Sequence, residues 1–142
     1  MELDLQGNNF GERISPKAFV GVGERLLALN LAWSNVTRLS GKVFRGLKAV
    51  RNMSLAENHL RRLPSAIFDD LRNVERLKLA GNSELGELPR RLFRNQQASL
   101  QVDNRLAILY TYFCARHKPL NYNCTRNCIH ISPFCSETIG HI

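Results

Sequence analysis

The sequence predicts an α/β solenoid of about four turns, with a short parallel sheet along its concave side and an irregular, cysteine-bearing cap at its C-terminal end. Three observations carry that expectation. A block of the form apolar-x-apolar-x-x-Asn recurs along the chain, at steps of 26, 24 and 24 residues. Each block is followed in the same register by two further apolar positions and then, five residues on, a phenylalanine. All four cysteines of the 142 residues fall between positions 114 and 142, so the repeated part folds without cross-links.

The blocks are Leu3-x-Leu5-x-x-Asn8, Leu29-x-Leu31-x-x-Ser34, Met53-x-Leu55-x-x-Asn58 and Leu77-x-Leu79-x-x-Asn82. Alternation at the first two apolar positions is the period of a short strand with one face buried. About 24 residues then leave room for a strand, a turn and a looser return segment, and stacked units pair their strands in parallel. The Asn that follows each strand has a carboxamide able to satisfy backbone groups of the adjoining turn, where water does not reach. Ser34 stands once in its place, and a hydroxyl can do part of that work. The apolar positions that follow are Phe10, Val36, Leu60 and Leu85, then Ile14, Leu39, Leu63 and Leu88. Phe19, Phe44, Phe68 and Phe93 are expected to stack into a spine on the convex side. Pro64 and Pro89 mark where the chain leaves the strand region.

These residues resemble the extracellular leucine-rich repeat proteins of the typical 24-residue subtype. The run Asn58-His59-Leu60-Arg61-Arg62-Leu63-Pro64-Ser65-Ala66-Ile67-Phe68, continued to Leu77-Lys78-Leu79-Ala80-Gly81-Asn82, is similar to repeats of Toll-like receptor ectodomains, variable lymphocyte receptors and platelet-glycoprotein-type adhesion receptors. The resemblance covers about residues 2 to 98. It implies a repeat array over 1–98 and a capping tail over 99–142. It also implies a non-enzymatic extracellular recognition module that binds a protein or glycan ligand through its concave face, in innate immunity or cell adhesion. An intracellular interaction scaffold is the alternative, since the same repeats serve many functions.

Both ends depart from the family's pattern. The chain begins two residues before its first strand leucine, without a cysteine-bearing cap, so Leu3 and Leu5 are expected on an open parallel edge. Such an edge invites pairing with a second copy, a homodimer, or with an upstream repeat. Gln96 stands where Val22, Leu47 and Leu71 stood, so the array is ending there; Leu100 and Val102 are read as a last irregular strand. Residues 106–116 are read as a short helix or buried turn, and the remainder as loop. Cys114, Cys124, Cys128 and Cys135 are spaced C-x9-C-x3-C-x6-C. Two disulfides are the favoured reading, and zinc held with His117, His130 or His141 the other; the C-x2-C pairs usual in zinc modules are missing. By analogy with the family's caps, Cys114 would pair with Cys128 and Cys124 with Cys135.

With 44% hydrophobic and 23% charged residues the composition is that of a globular chain, which excludes collagen-like and mucin-like classes. The net charge of +8 attracts polyanions. Arg61, Arg62, Arg90, Arg91 and Arg94 fall in return segments, either as a solvated convex face or as a heparan-sulfate patch. Aromatics that would stack bases are not interleaved with the basic residues, Phe93 being assigned to the spine, which argues against nucleic acid. The longest apolar run, Leu106 to Ala115, is about half what a membrane-spanning helix needs. Met1 to Leu5 shows no secretory leader, so a secreted or cell-surface protein would have lost it. No catalytic, phosphate-binding or metal-binding motif appears, and no cofactor is expected.

Register places the outward strand positions in columns: Glu2, Ala28, Asn52, Arg76; then Asp4, Asn30, Ser54, Lys78; then Gln6, Ala32, Ala56, Ala80; then Gly7, Trp33, Glu57, Gly81. Charge therefore runs from acidic in the first repeat to basic in the fourth. The candidate ligand-binding residues are Asp4, Asn30, Trp33, Asn52, Glu57, Arg76 and Lys78. Trp33 has two readings, a lid packed on the Ala32 and Ala56 trough or an exposed anchor for a partner. Sequons occur at Asn35, Asn52 and Asn123. Asn35 is the expected glycosylation site, because a glycan on Asn52 would obstruct the concave face.

Overall fold

The computed structural model describes residues 1–96, 100–103, 122–125 and 128–131. Seven short strands form one sheet in the order β1-β2-β3-β4-β5-β7-β6. They are β1 (Glu2–Asp4), β2 (Ala28–Asn30), β3 (Asn52–Ser54), β4 (Arg76–Lys78), β5 (Gln101–Asp103), β6 (Tyr122–Thr125) and β7 (Cys128–Ile131). The first five are parallel and in the register that the repeat alignment demands: Leu3, Leu29, Met53, Leu77 and Val102 are successive partners. β1 to β4 each turn the middle residue inward and the outer two toward the concave surface. Leu29, Met53, Leu77 and Val102 are accordingly buried. Leu3, with a neighbour on one side only, is half-buried.

Behind the sheet the repeats stack residue on residue. Leu31, Leu55 and Leu79 form one fully buried row, and Val36, Leu60 and Leu85 the next. The phenylalanines build the far wall, with ring centroids 6.2 Å apart for Phe19–Phe44, 6.3 Å for Phe44–Phe68 and 5.7 Å for Phe68–Phe93. The rings of the last two pairs are within 9° of parallel. The return segments are stacked turns, and the described residues contain no helix. In every repeat the residue before the phenylalanine donates its N–H three residues back, as Ala18 to Ser15, Val43 to Ser40, Ile67 to Pro64 and Leu92 to Pro89. Proline suits this start, since it carries no N–H that would need a partner there.

The Asn positions join one repeat to the next. Asn58 Nδ2 donates to the carbonyls of Leu31, 2.8 Å, and Leu55, 3.0 Å, while its Oδ1 accepts from the N–H groups of Ser34 and Val36. Asn82 repeats the pattern one turn on, donating to Leu55 and Leu79 and accepting from Leu60. Ser34 supplies the donor half: its hydroxyl is within hydrogen-bond reach of the Leu5 and Ala32 carbonyls at 3.2 and 3.0 Å. The acceptor half passes to the Ser34 backbone carbonyl, which takes the Phe10 N–H at 3.2 Å. Gly23 is required by contact rather than by φ. A Cβ there would land on the Gly46 carbonyl, where adjacent return segments meet.

The tail differs from the expected loop. β7 pairs antiparallel with β5, and β6 with β7, so the sheet continues past the boundary drawn at 98/99. Tyr, Thr and Ile suit a pleated ladder, and a two-residue connection between Thr125 and Cys128 suits a hairpin. The helix or turn read at 106–116 lies outside the described residues. So do Cys114 and Cys135, and of Cys124 and Cys128 only the strand backbone is described.

Candidate functional site

Three-residue strands leave two outward side chains each, and the flat register lines them up across repeats. Glu2, Ala28, Asn52, Arg76 and Gln101 are successive partners in one column, and Asp4, Asn30, Ser54, Lys78 and Asp103 in the other. The acidic-to-basic gradient from β1 to β4 thus lies along one surface. On it is an open depression of about 260 Å³ lined by Asn30, Asn52, Met53, Ser54, Arg76 and Lys78. Of the sequence-predicted site residues, it brings together Asn30, Asn52, Arg76 and Lys78. Asp4, Trp33 and Glu57 are not in its lining.

The members of this group differ in how free they are. Asn52, Arg76 and Lys78 are exposed, and no hydrogen bond or ion pair engages their side chains among the described residues. Asn30 is committed at both ends: its Oδ1 takes the Ala32 N–H at 3.1 Å and its Nδ2 donates to Gln6 Oε1 at 3.1 Å. Asp4 closes the equivalent turn by accepting the Gln6 N–H at 3.0 Å. Both residues hold the ends of their strands, a use of short polar side chains in turns. Arg51, just before β3, is tied to Glu75 at 3.0 Å, whereas Arg76 has no ion pair among the described side chains.

The column Gly7, Trp33, Glu57, Gly81 has a property that alternation alone does not reveal. All four are in the left-handed backbone region, at φ of 73°, 55°, 53° and 77°. Glycine adopts that conformation without cost, whereas a residue with a Cβ pays about 1 to 2 kcal/mol. Two glycines out of four in one column were the sequence signal for it. Glu57 leans over Gly81, where its carboxylate fills the space a Cβ would need. It does not face Trp33. Trp33 is 65% exposed, so it is not a lid on the alanine trough.

On the convex side the repeats are laced by ion pairs, the exposed Arg38–Glu12 at 2.7 Å, Lys48–Glu24 at 3.7 Å and Arg61–Glu84 at 2.8 Å, and Arg94 with the half-buried Asp69. Exposed pairs of this kind contribute about 0 to 1 kcal/mol each. The Arg94 guanidinium is held above its ordinary pKa by its hydrogen bond to Asp69, then by that residue's charge. Of the five arginines assigned to this face, Arg61 and Arg94 are therefore engaged. Arg62, Arg90 and Arg91 are exposed with no ion pair among the described residues. A smaller depression, about 190 Å³, lies between Lys42 and Arg45 on one side and Asp69 and Asp70 on the other. Asp70 there accepts the Gly46 N–H at 2.7 Å, a structural role.

Asn35 is exposed, and its Nδ2 donates to Asn9 Oδ1 at 3.2 Å. No described helix is long and apolar enough to cross a membrane, and no three metal-ligating side chains cluster among the described residues. Comparison with curated proteins gives no match. A leucine-rich repeat family model matches residues 1–60 and again 24–83, the span that holds β1 to β4, the Asn ladder and the first three phenylalanines of the spine. The chain belongs to the leucine-rich repeat family.

Proposed function

We propose that this chain is a non-enzymatic extracellular recognition module whose concave face binds a protein or glycan ligand, in innate immunity or cell adhesion. Membership of the family makes it a protein-binding module. The finer reading is supported by one observation above the rest: Arg76 and Lys78 project side by side, without partners among the described residues, into an open depression floored by Met53 and flanked by Asn52 and Ser54. Cations without a partner among the described side chains, beside neutral hydrogen-bonding groups, fit an acidic side chain or an anionic sugar. The disulfides of the tail and a glycan at Asn35 belong to the same proposal. β1 offers the edge at which a second copy would add.

The test is an array of extracellular proteins and glycans probed with the full chain and two variants. Arg76→Glu with Lys78→Glu should lower the binding signal at least about tenfold, since reversing two interfacial charges removes more than about 1.4 kcal/mol. Arg62→Glu with Arg90→Glu should leave it within about twofold. The reverse pattern, confined to sulfated glycans, would transfer recognition to the convex face and to heparan sulfate.

A further inference from the structure

Trp33 is a large apolar side chain left in solvent, outside the depression that carries the proposed recognition. An indole 65% exposed on a left-handed backbone, φ 55°, is unfavourable twice, by its apolar area in water and by its conformation. Non-glycine residues held in the left-handed region cluster at ligand and functional sites. The neighbouring repeats do not supply a cover. A Cβ on Gly7, one step along the column, would meet nothing within 4 Å, and Glu57 on the other side leans away over Gly81.

Two residues along the chain there is a cover of a different kind. Burial alternates from Ala32 to Val36: Ala32, Ser34 and Val36 are buried at 7%, 0% and 0%, and Trp33 and Asn35 between them are exposed. The buried members are pinned, since both the Ser34 and Val36 N–H groups bond to Asn58 Oδ1 at 3.1 and 3.0 Å. Asn35 has nearly the same φ as Trp33, 54°. Trp33 and Asn35 are thus successive outward residues of one fixed segment. Asn35-Val36-Thr37 is an N-glycosylation acceptor.

We infer that Trp33 is the platform on which the first N-acetylhexosamine of a glycan at Asn35 stacks, an inference that rests on the extracellular reading. The C–H groups on one face of a pyranose ring are weakly positive, and the indole face is electron-rich and broad, so the two attract and exclude water. Transfer forms a bond from Asn35 Nδ2 to the sugar's anomeric carbon. It breaks that carbon's bond to the pyrophosphate of a lipid-linked oligosaccharide donor and releases one of the two amide protons. The remaining N–H can keep the bond to Asn9 Oδ1. Asn52, the sequon within β3, has Val50 two residues before it and offers no such platform.

The test secretes the full chain from a eukaryotic host behind a cleavable leader and reads Asn35 occupancy by site-resolved glycopeptide mass spectrometry. Acrylamide quenching of Trp33, the only tryptophan, is compared among the glycosylated chain, the chain trimmed to one N-acetylglucosamine, and Asn35→Gln. Asn35 should be occupied, and the quenching constant should fall by roughly half in both glycosylated forms, since one face of the ring is covered. Trp33→Ala should lower the melting midpoint of the glycosylated chain by about 3 °C and leave that of Asn35→Gln unchanged. Occupied Asn35 with unchanged quenching overturns the stacking alone, and empty Asn35 overturns the glycan as well. An equal midpoint loss in both backgrounds would assign Trp33 to the fold and overturn the inference. None of these readouts involves the concave ligand, so they are independent of the array result.

Discussion

Replacing Phe68 by alanine should cost about 3 to 5 kcal/mol, read as a fall in the denaturant midpoint at constant slope. The ring is fully buried and stacks on Phe44 and Phe93 at 6.3 and 5.7 Å, so its removal leaves a gap in the middle of a spine rather than at an end. A repeat protein has no distant contacts to make up the loss, because each turn touches its neighbours alone. With a total stability of order 5 to 15 kcal/mol, the variant would sit near the folding threshold. Phe93→Ala, at a half-buried position, should cost less. A loss below about 1 kcal/mol at Phe68 would mean that the spine does not bear on stability.

Asn58→Ala should be nearly as damaging, at about 3 kcal/mol, although it removes little volume. The substitution strips the amide partner from the buried Leu31 carbonyl and from the N–H groups of Ser34 and Val36, while the Leu55 carbonyl keeps the bond from Asn82. Each buried backbone group left without a partner costs about 1 to 3 kcal/mol, and these share one site, so their costs do not simply add. Asn58→Ser should recover part of the loss, because Ser34 already shows a hydroxyl reaching two carbonyls at this position. If alanine and serine are equally harmful at 58, the hydrogen bonds are not the cause.

The repeat register, the buried rows, the Asn ladder and the phenylalanine spine were legible in the sequence because each is set by periodicity. A residue type that recurs every turn reports the same environment every turn. What depended on individual rotamers was not legible. Asn30 reads as a free concave residue, yet its amide is spent on Ala32 and Gln6. Glu57 reads as a neighbour facing Trp33, yet it folds over Gly81, since glycine leaves room on that side. The pairing of Arg61 with Glu84 and of Arg94 with Asp69 joins residues 23 and 25 apart, and nothing in the period marks which charges will meet. The left-handed column was half visible, in Gly7 and Gly81, and hidden by Trp33 and Glu57. The β6–β7 hairpin lies beyond the last repeat, where no period guides the reading.

The most direct test of the extracellular reading is the intact mass of the full chain, produced in a secretory host and measured without reduction, before and after glycosidase treatment. The account predicts a chain with all four cysteines oxidised, four hydrogens lighter than the reduced polypeptide, and carrying a glycan that maps to Asn35. A mass equal to that of the reduced, unmodified polypeptide would contradict it and point to the intracellular scaffold instead.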